Sequence, residues 1–556
     1  MKSQQNETMI LLPSHTNVRS KLRNLECSYL FWAFTGVFFI RYGWGFYFLF
    51  FDKYPTEDSI TLLLKSEKLN VLKEKIFFFS ESLLFGFIQS NIGIFIFYLI
   101  FSIIILFISK NIKWQILLSR KWRIFLVLVA FIITWNNAFS HFNYFTNQWY
   151  AFDRILLIFF TVLIYFTPHA LLAYFPLIFL FYGSFHFPIG GYSGADKILP
   201  VSILLYTLSI YILFCCSKNI LASNFNFKKS WFAGILIIVS CSYFAPFLTK
   251  IQISPNLMDW FLWEDVSLEF EKHLDRGWLA SLPSIYIDYL RHTLIKYHEL
   301  FQFIAFAIEG ASLFLIYNSK KIRILILSSL ILFHLGIFFF LACFFWKWIF
   351  FDLLLLIFYL YDDQKFYNNH LVIVTIMVFV FSWISPIFPK LAWYNNPYSE
   401  NFYLEATDIN NNIMPINNAD MAPFDMFFSL NSWGVFKKKA MPEHSINALE
   451  NKYFKSLSTN QLLTQSENDT HINYHEQNKK ILNLFLKEYF TNYNLNPTKS
   501  ILTPIPHIPI NKFESFPFDK KVKAVEVILE SIWYPVKSNQ VKKIIKNGKI
   551  LIPTDE

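Results

Sequence analysis

Long apolar segments separated by short polar loops occupy most of the chain before residue 390. Each segment is close to the roughly 17–25 residues that a helix needs to cross the hydrocarbon layer of a bilayer. The pattern therefore predicts an all-α polytopic membrane bundle of about 10–11 transmembrane helices. The predicted spans are residues 29–51, 87–108, 122–135, 154–166, 169–187, 199–216, 231–248, 300–317, 324–342, 343–361 and 370–388.

The segment 154–187 is too long for one ordinary span and contains Pro168. It fits two short helices hinged at this proline, or one span with a re-entrant piece. Non-helical backbone at membrane depth requires burial in protein or a water-filled cavity. Both alternatives remain open at this stage.

Composition agrees with a membrane protein. Of the 556 residues, 54% are hydrophobic, 20% are aromatic and 16% are charged, and the mean hydropathy is +0.37. Soluble domains carry about 25% charged residues. A soluble core of this length could not bury so much apolar surface.

The net charge of +10 comes largely from bases in short loops between apolar segments, which disfavours nucleic-acid binding. Basic loops are typical of the cytoplasmic side. The basic stretches 2–23, 110–123, 218–229 and 320–323 then share that side if 154–187 crosses twice. This predicts a cytoplasmic N-terminal segment (1–28) without a cleavable signal peptide. The loop 250–299 and the C-terminal part face the other side, in the inner membrane if the source is bacterial.

Residues 395–556 differ in character, because they are polar and rich in asparagine. Short alternating runs at 401–407 and 549–552 predict strands, and 476–489 predicts a helix. We therefore expect a transmembrane domain over 29–388 followed by a soluble α+β or mostly-β extracytoplasmic domain over 395–556.

Lys250 follows the apolar span 231–248 by two residues, and Pro246 lies near the end of that span. An ionisable group beside a membrane segment is a candidate for function, here as a base. The alternative is a lysine that reaches the lipid headgroups as an anchor. His141 lies beyond the predicted span 122–135 on the same face, where it could transfer protons or act as an interfacial aromatic.

Further polar residues lie inside the predicted spans. His334 must face the bundle, as a hydrogen-bonding contact between helices or as a functional group. Arg41 suggests a buried ion pair with Glu309. Lys347 and Asp352, near the start of span 343–361, are predicted to lie at the membrane interface.

Metal binding has little support in the sequence. His292 and His298 are six residues apart, which places them on different faces of a helix, and no HExxH or Cys/His cluster occurs. The run beginning at Asp408 opens like a calcium loop but has Ile413 and Ala419 at the glycine and glutamate positions. A hairpin turn is the better interpretation, and no metal is predicted.

The run Tyr243-Phe-Ala-Pro-Phe-Leu-Thr-Lys250-Ile251 resembles the segment Y-F-I-A-G-V-K-K-L of the vitamin K-dependent γ-carboxylases and the wider HTTM-domain family. Lys250 falls on the second lysine and Thr249 on the first. Trp135-Asn136-Asn137, followed by His141 and Tyr144, is similar to the family's W-N-N-H-S-Y-L with three extra residues. Ala138 stands at the ungapped histidine position.

Weaker similarities occur at Arg41, at Tyr192–Asp196 and at Phe333-His334, so the resemblance covers about residues 29–345 in order. It implies that Lys250 and His141 are catalytic, with Asn136, Asn137, Tyr243, His334, Arg41 and Asp196 in the pocket or behind it. Leu404–Pro415 looks like a hairpin of the family's β-rich region.

The resemblance also implies a reaction. Lys250 would deprotonate vitamin K hydroquinone or another quinol, and reaction with O2 and CO2 would carboxylate glutamate residues of a peptide or protein on the extracytoplasmic side. The alternative is a non-enzymatic HTTM-family scaffold or receptor whose C-terminal domain binds a partner. A transporter would predict inverted repeats, which the sequence lacks.

Overall fold

The structure is a computed structural model. It describes residues 33, 35–37, 100, 104, 117–140, 152–185, 192–217, 227–253, 256, 259–317, 319–361, 371–384, 394–395, 398–429, 436–437, 444–445, 473–474, 476–495, 503–510, 513, 520–533 and 547–553. The described part is mostly helical and carries a small antiparallel sheet in its C-terminal region.

Eleven helices precede residue 390 in the described part of the chain. They are α1 (Arg120–Ala138), α2 (Phe152–Leu163), α3 (Ala170–Phe185), α4 (Tyr192–Ser217), α5 (Phe227–Ile253), α6 (Asp259–Trp263), α7 (Val266–Asp275), α8 (Ser284–Ala311), α9 (Lys320–Leu341), α10 (Trp346–Tyr361) and α11 (Leu371–Ile384). A 3-10 turn, Ser312–Ile316, links α8 to α9. Among the residues that the structure describes, three regions are long and apolar enough to cross a membrane: Phe227–Gln252, Ser284–Ile316 and Lys320–Leu341.

Helix α5 lies at the centre of the bundle, and 94% of its most apolar stretch is buried. It packs against α4, α8 and α11. Between Trp231 and Leu248 its residues are almost entirely apolar, so burial of this part of the helix on all sides is favourable. The last turn of α5 is therefore carried into the protein interior.

Two interruptions shape the helices around α5. In α8, Tyr297 has non-helical angles (φ −121°, ψ 18°) and marks a kink. Between α9 and α10 the chain turns at Ala342, which adopts a left-handed conformation (φ 48°), and residues 343–345 follow without helix. These breaks redirect α8, α9 and α10 around one space beside α5.

The C-terminal region holds a four-stranded antiparallel sheet in the order β3-β2-β7-β8. Its strands are β2 (Tyr398–Asp408), β3 (Ile413–Ile416), β7 (Val522–Trp533) and β8 (Asn547–Pro553). Short strands β1 (Tyr394–Asn395) and β5 (His444–Ser445) pair with each other, as do β4 (Phe436–Lys437) and β6 (Asn473–Tyr474). Helices α12 (Asp425–Ser429) and α13 (Glu476–Leu495) complete this α+β region.

Several predicted elements are confirmed. The turn after α2 contains Pro168 and separates it from α3, so 154–187 forms two helices. The predicted tail helix is α13, although it continues to Leu495, and both predicted strands lie within β2 and β8. Leu404 pairs with Ile416 across the predicted hairpin. Most of the predicted spans 29–51 and 87–108 lie outside the described residues.

The predicted start of the span 300–317 is wrong, because α8 begins at Ser284. The predicted loop 250–299 contains α6, α7 and the first half of α8. Charged residues such as Arg291 and Lys296 lowered the hydropathy of that half and concealed the helix. Arg291 bonds Glu271 on α7, so the polar face of α8 has a partner of its own.

The β2–β3 hairpin depends on one carboxylate. Asp408 accepts hydrogen bonds from the backbone N–H groups of Asn410 and Asn412, both at 2.8 Å, and from the Asn412 amide at 2.9 Å. The bonds from Asn412 and then Asn410 hold the pKa of Asp408 below its usual value of 3.8. Asn411 takes the left-handed conformation (φ 66°) that closes the turn.

We expect Asp408→Ala to accelerate hydrogen exchange across β2 and β3 at neutral pH, because three bonds to the turn are lost. A depressed pKa stabilises the folded state above the usual pKa and loses that contribution as pH falls through the folded value. The difference between Asp408→Ala and the parent chain should therefore shrink below about pH 4. Asn410→Ala keeps its backbone donor and serves as the control; equal effects of both substitutions would contradict this account.

Candidate functional site

A cavity of about 560 Å³ lies beside the last turns of α5. Helices α8, α9 and α10 form its other walls, and α6 and α7 cover one side. Its lining is mainly apolar and aromatic, and a few polar side chains interrupt it. The polar lining includes Ser242, Tyr243, Lys250, Glu264, Glu269, His273, Gln302, Glu309, Ser329 and His334.

Lys250 lies in this cavity, paired with Glu309 of α8. Its Nζ is 2.6 Å from Glu309 Oε1 and 2.5 Å from Oε2, and both residues are 5% exposed. The Lys250 Nζ also lies 4.6 Å from the centre of the Trp260 ring, on α6. A buried charge needs a close partner with good geometry, and here a carboxylate and an aromatic face supply it.

The close approach of α5 and α8 depends on a small residue next to the acid. A Cβ atom at Gly310 would lie 2.9 Å from a ring carbon of Phe247, which is too close. The Phe247 ring in turn packs against Phe306, with ring centres 4.5 Å apart. Glycine at 310 therefore leaves room for the Phe247 ring of α5 next to Glu309.

A second polar group lies on the wall formed by α5, α9 and α10. The Tyr243 hydroxyl donates to Asp352, and it lies 3.0 Å from His334 Nε2. Asp352 is fully buried, and His334 is 5% exposed. The three side chains come from three helices and link the cavity to the bundle interior.

The cover formed by α7 carries its own charges. Glu269 is 3.1 Å from Lys272 and 3.2 Å from His273 Nε2, and all three are buried. The helix begins with Asp265, which accepts hydrogen bonds from the backbone of Ser267 and of Leu268. This cap fixes the first turn and thereby the direction in which Glu269 points.

The C-terminal segment 503–510, here called the strap, lies against the ends of α1 and α10. Asn136 binds the backbone of Ile505 twice, with Nδ2 3.1 Å from the carbonyl oxygen and Oδ1 3.0 Å from the amide nitrogen. The backbone N–H of Phe344 donates to His507 O at 2.5 Å. Ile508, near the end of the strap, lines the cavity.

A buried charged cluster holds the strap at α10. Lys347 Nζ is 2.8 Å from His507 Nε2, and His507 Nδ1 is 3.4 Å from Asp425 Oδ1. Asp425 also accepts from the backbone N–H groups of His507 and Ile508, at 2.6 and 2.7 Å. The imidazole thus connects a lysine of the bundle to a carboxylate of the C-terminal region.

Three of the predicted site residues meet at the cavity: Lys250, Tyr243 and His334. Asn136 binds the strap, and Asn137 donates to Ile133 O on its own helix at 2.9 Å. Asp196 belongs to α4, but its side chain is outside the described residues, as are His141 and Arg41.

Glu309 pairs with Lys250, and its suggested partner Arg41 lies outside the described residues. Lys347 and Asp352, predicted at the membrane interface, are 1% and 0% exposed, so both side chains are buried in the protein. Hydropathy places a residue along a helix but does not tell which way its side chain faces, and both side chains point into the protein.

Sequence reasoning missed Gln302, Glu269, His273, Asp425 and His507. Gln302 and Glu309 are seven residues apart, a spacing that puts them on one helix face, and this pattern could have indicated a polar stripe. The strap residues are 369 positions from Asn136 along the chain, and no local pattern indicates such a contact.

Within the described part of the chain, no group of three or more His, Cys, Asp or Glu residues could hold a metal ion. No family model matches the chain, and no curated protein or solved structure matches it. The resemblance to the γ-carboxylase-like family therefore stays a prediction.

The Lys250–Glu309 pair should be required for stability. We expect Lys250→Met or Glu309→Gln alone to lower the free energy of unfolding by about 3–5 kcal/mol, because each leaves a buried polar or charged group without its partner. The double substitution Lys250→Met/Glu309→Leu should recover most of the loss. Unfolding in mixed detergent micelles measures all three variants, and single variants as stable as the parent would contradict the pairing.

The strap should loosen when Asn136 is removed. Asn136→Ala deletes the acceptor of the Ile505 amide, so that amide should exchange with solvent about tenfold faster. Asn137→Ala removes a neighbouring amide that donates to Ile133 O. It should leave the Ile505 amide unchanged, because that amide donates to Asn136. Hydrogen exchange resolved by mass spectrometry distinguishes the two, and equal exchange in both variants would refute the anchor.

Proposed function

We propose that the chain is a multi-pass membrane protein of the γ-carboxylase-like class, in which the cavity beside Lys250 binds a quinol and a buried lysine–glutamate pair accepts its proton. The observation that carries this proposal is the Lys250–Glu309 pair inside a mainly apolar cavity.

Membrane residence is supported by the exposed faces of the helices. Leu325 and Leu332 on α9 are each 66% exposed, and Ile155 on α2 is 63% exposed. Large apolar faces of this kind are rare on soluble monomers but suit contact with lipid. Only 33% of the most apolar stretch of the α8 span and 22% of that of the α9 span are buried, as expected of helices at the lipid boundary.

The orientation of the C-terminal region is supported by the strap. It contacts the C-terminal end of α1 through Asn136 and the N-terminal end of α10 through Lys347. Both ends lie on the extracytoplasmic side if the basic loops are cytoplasmic. The C-terminal region would then face the side on which a secreted peptide or protein substrate is met, with the N-terminus in the cytoplasm.

A quinol fits the lining of the cavity. About 560 Å³ is within the usual range of small-molecule sites, and the aromatic lining includes Trp260, Phe301 and Phe340. Gln302 is 4% exposed and lines the cavity, and neither polar atom of its amide has a hydrogen-bond partner among the described residues. A buried amide without hydrogen-bond partners favours a ligand that carries polar oxygens on an apolar ring system.

The proposed reaction follows from the resemblance to the γ-carboxylases. A reduced vitamin K-type quinol, with O2, would supply the strong base that removes the γ proton of glutamate, and CO2 would then capture the carbanion. Lys250 would start this by accepting the proton of the quinol hydroxyl at Nζ. It can do so only when Glu309 holds the proton that Lys250 otherwise carries.

A non-enzymatic HTTM-family scaffold or receptor is the second candidate. It is favoured by the direct contact between Lys250 and Glu309, because a lysine held in an ion pair can serve stability alone. In that case the cavity would hold a structural lipid or quinone, and the C-terminal region would bind a partner without chemistry.

Reconstituted protein supplied with vitamin K hydroquinone, bicarbonate and a glutamate-rich peptide separates the two candidates. We expect formation of the epoxide and of carboxylated peptide, and a loss of about 10²–10⁴-fold with Lys250→Ala, the contribution typical of a general base. Lys296→Ala, an exposed lysine on α8, should retain activity. No epoxide from the parent protein, under conditions in which a known carboxylase works, would leave the scaffold as the better account.

A further inference from the structure

Two neighbouring side chains of the cavity wall each carry a buried polar atom whose partner is missing. His334 on α9 and Trp348 on α10 are 5% and 3% exposed, and both line the cavity. In the described part of the chain, His334 Nδ1 and Trp348 Nε1 have no hydrogen-bond partner. Their ring centres are 5.5 Å apart, and both rings border the same cavity.

The hydrogen bonds of Tyr243 determine whether His334 Nδ1 is a donor or an acceptor. Because the Tyr243 hydroxyl donates its proton to Asp352, we assign its contact with His334 as a donation from Nε2–H to the phenol oxygen. The neutral imidazole then carries no proton on Nδ1, which is an acceptor. The indole N–H of Trp348 is a donor only. The cavity wall therefore offers one acceptor and one donor, and neither has a partner among the described residues.

We propose that this pair binds the hydroxyl group of a ligand with an apolar ring, such as a phenol or an aromatic alcohol. The hydroxyl donates to His334 Nδ1, and its oxygen accepts from Trp348 Nε1–H. A hydroxyl supplies both functions from one atom, which a ketone or an ether cannot do. The proposal rests on the cavity wall and holds whether or not Lys250 takes part in a reaction.

The electrostatics of the wall favour a neutral group over an ionised one. His334 and Trp348 are buried and carry no positive charge, so a ligand carboxylate placed beside them would lose its hydration without gaining a counter-ion. Ring contacts suit an aromatic body, since the His334 ring is 5.6 Å from Phe345 and 5.2 Å from Phe333. A neutral aromatic hydroxyl meets both conditions.

A matched pair of probes tests this in the full-length protein in lipid nanodiscs. 1-Naphthol and 1-methoxynaphthalene share a ring system, but only the first donates a hydrogen bond. We expect the ratio of their dissociation constants to favour 1-naphthol by about tenfold in the parent protein. His334→Phe should abolish this preference, because it keeps an aromatic ring and removes the acceptor. Trp348→Phe should reduce it.

Ser329→Ala, another lining position on α9, is the control and should preserve the preference. If His334→Phe does not fold, as judged by its unfolding temperature, Trp348→Phe alone decides. Equal affinity for both probes in the parent, no binding of either probe, or a preference that survives the substitutions would overturn the proposal. Because no turnover is measured, a preference without epoxide formation would contradict only the quinol reaction, and epoxide formation without a preference would contradict only this site.

Discussion

The contact between Lys250 and Glu309 is the interaction on which the rest of the site depends. Both groups are withdrawn from solvent, which costs each of them several kcal/mol and is repaid only if the two stay together. The pair holds α8 against α5 at the cavity wall, and Gly310 leaves room there for the Phe247 ring. A kink at Tyr297 separates this part of α8 from its first half.

The C-terminal region contributes to the same interior. The strap is bound by α1 and α10. The His507 imidazole of the strap contacts the buried Lys347 with one ring nitrogen and the buried Asp425 carboxylate with the other. Since Ile508 lines the cavity, movement of the strap would change the space available to a ligand. Binding to the C-terminal region and occupancy of the cavity are therefore physically connected, although their sequences are far apart.

Elements that depend on local pattern could be predicted from the sequence. Apolar runs gave the central helices, because a lipid-length run leaves the backbone few alternatives to a helix. The turn at Asp408 followed from asparagine and aspartate chemistry. The contacts that form the site could not be predicted. The partner of Lys250 is 59 residues away, Asn136 binds a segment 369 residues away, and Lys347 and Asp352 face inward for reasons that appear only after packing.

A high-resolution structure of the protein in lipid nanodiscs tests the central claim most directly. We expect the density to place the Lys250 ammonium within about 4 Å of the Glu309 carboxylate, at the wall of a cavity inside the lipid slab. A Lys250 side chain that extends toward the headgroups, with Glu309 bound elsewhere, would contradict it. In that case the lysine would be an interfacial anchor, and the cavity would have no ion pair at its centre.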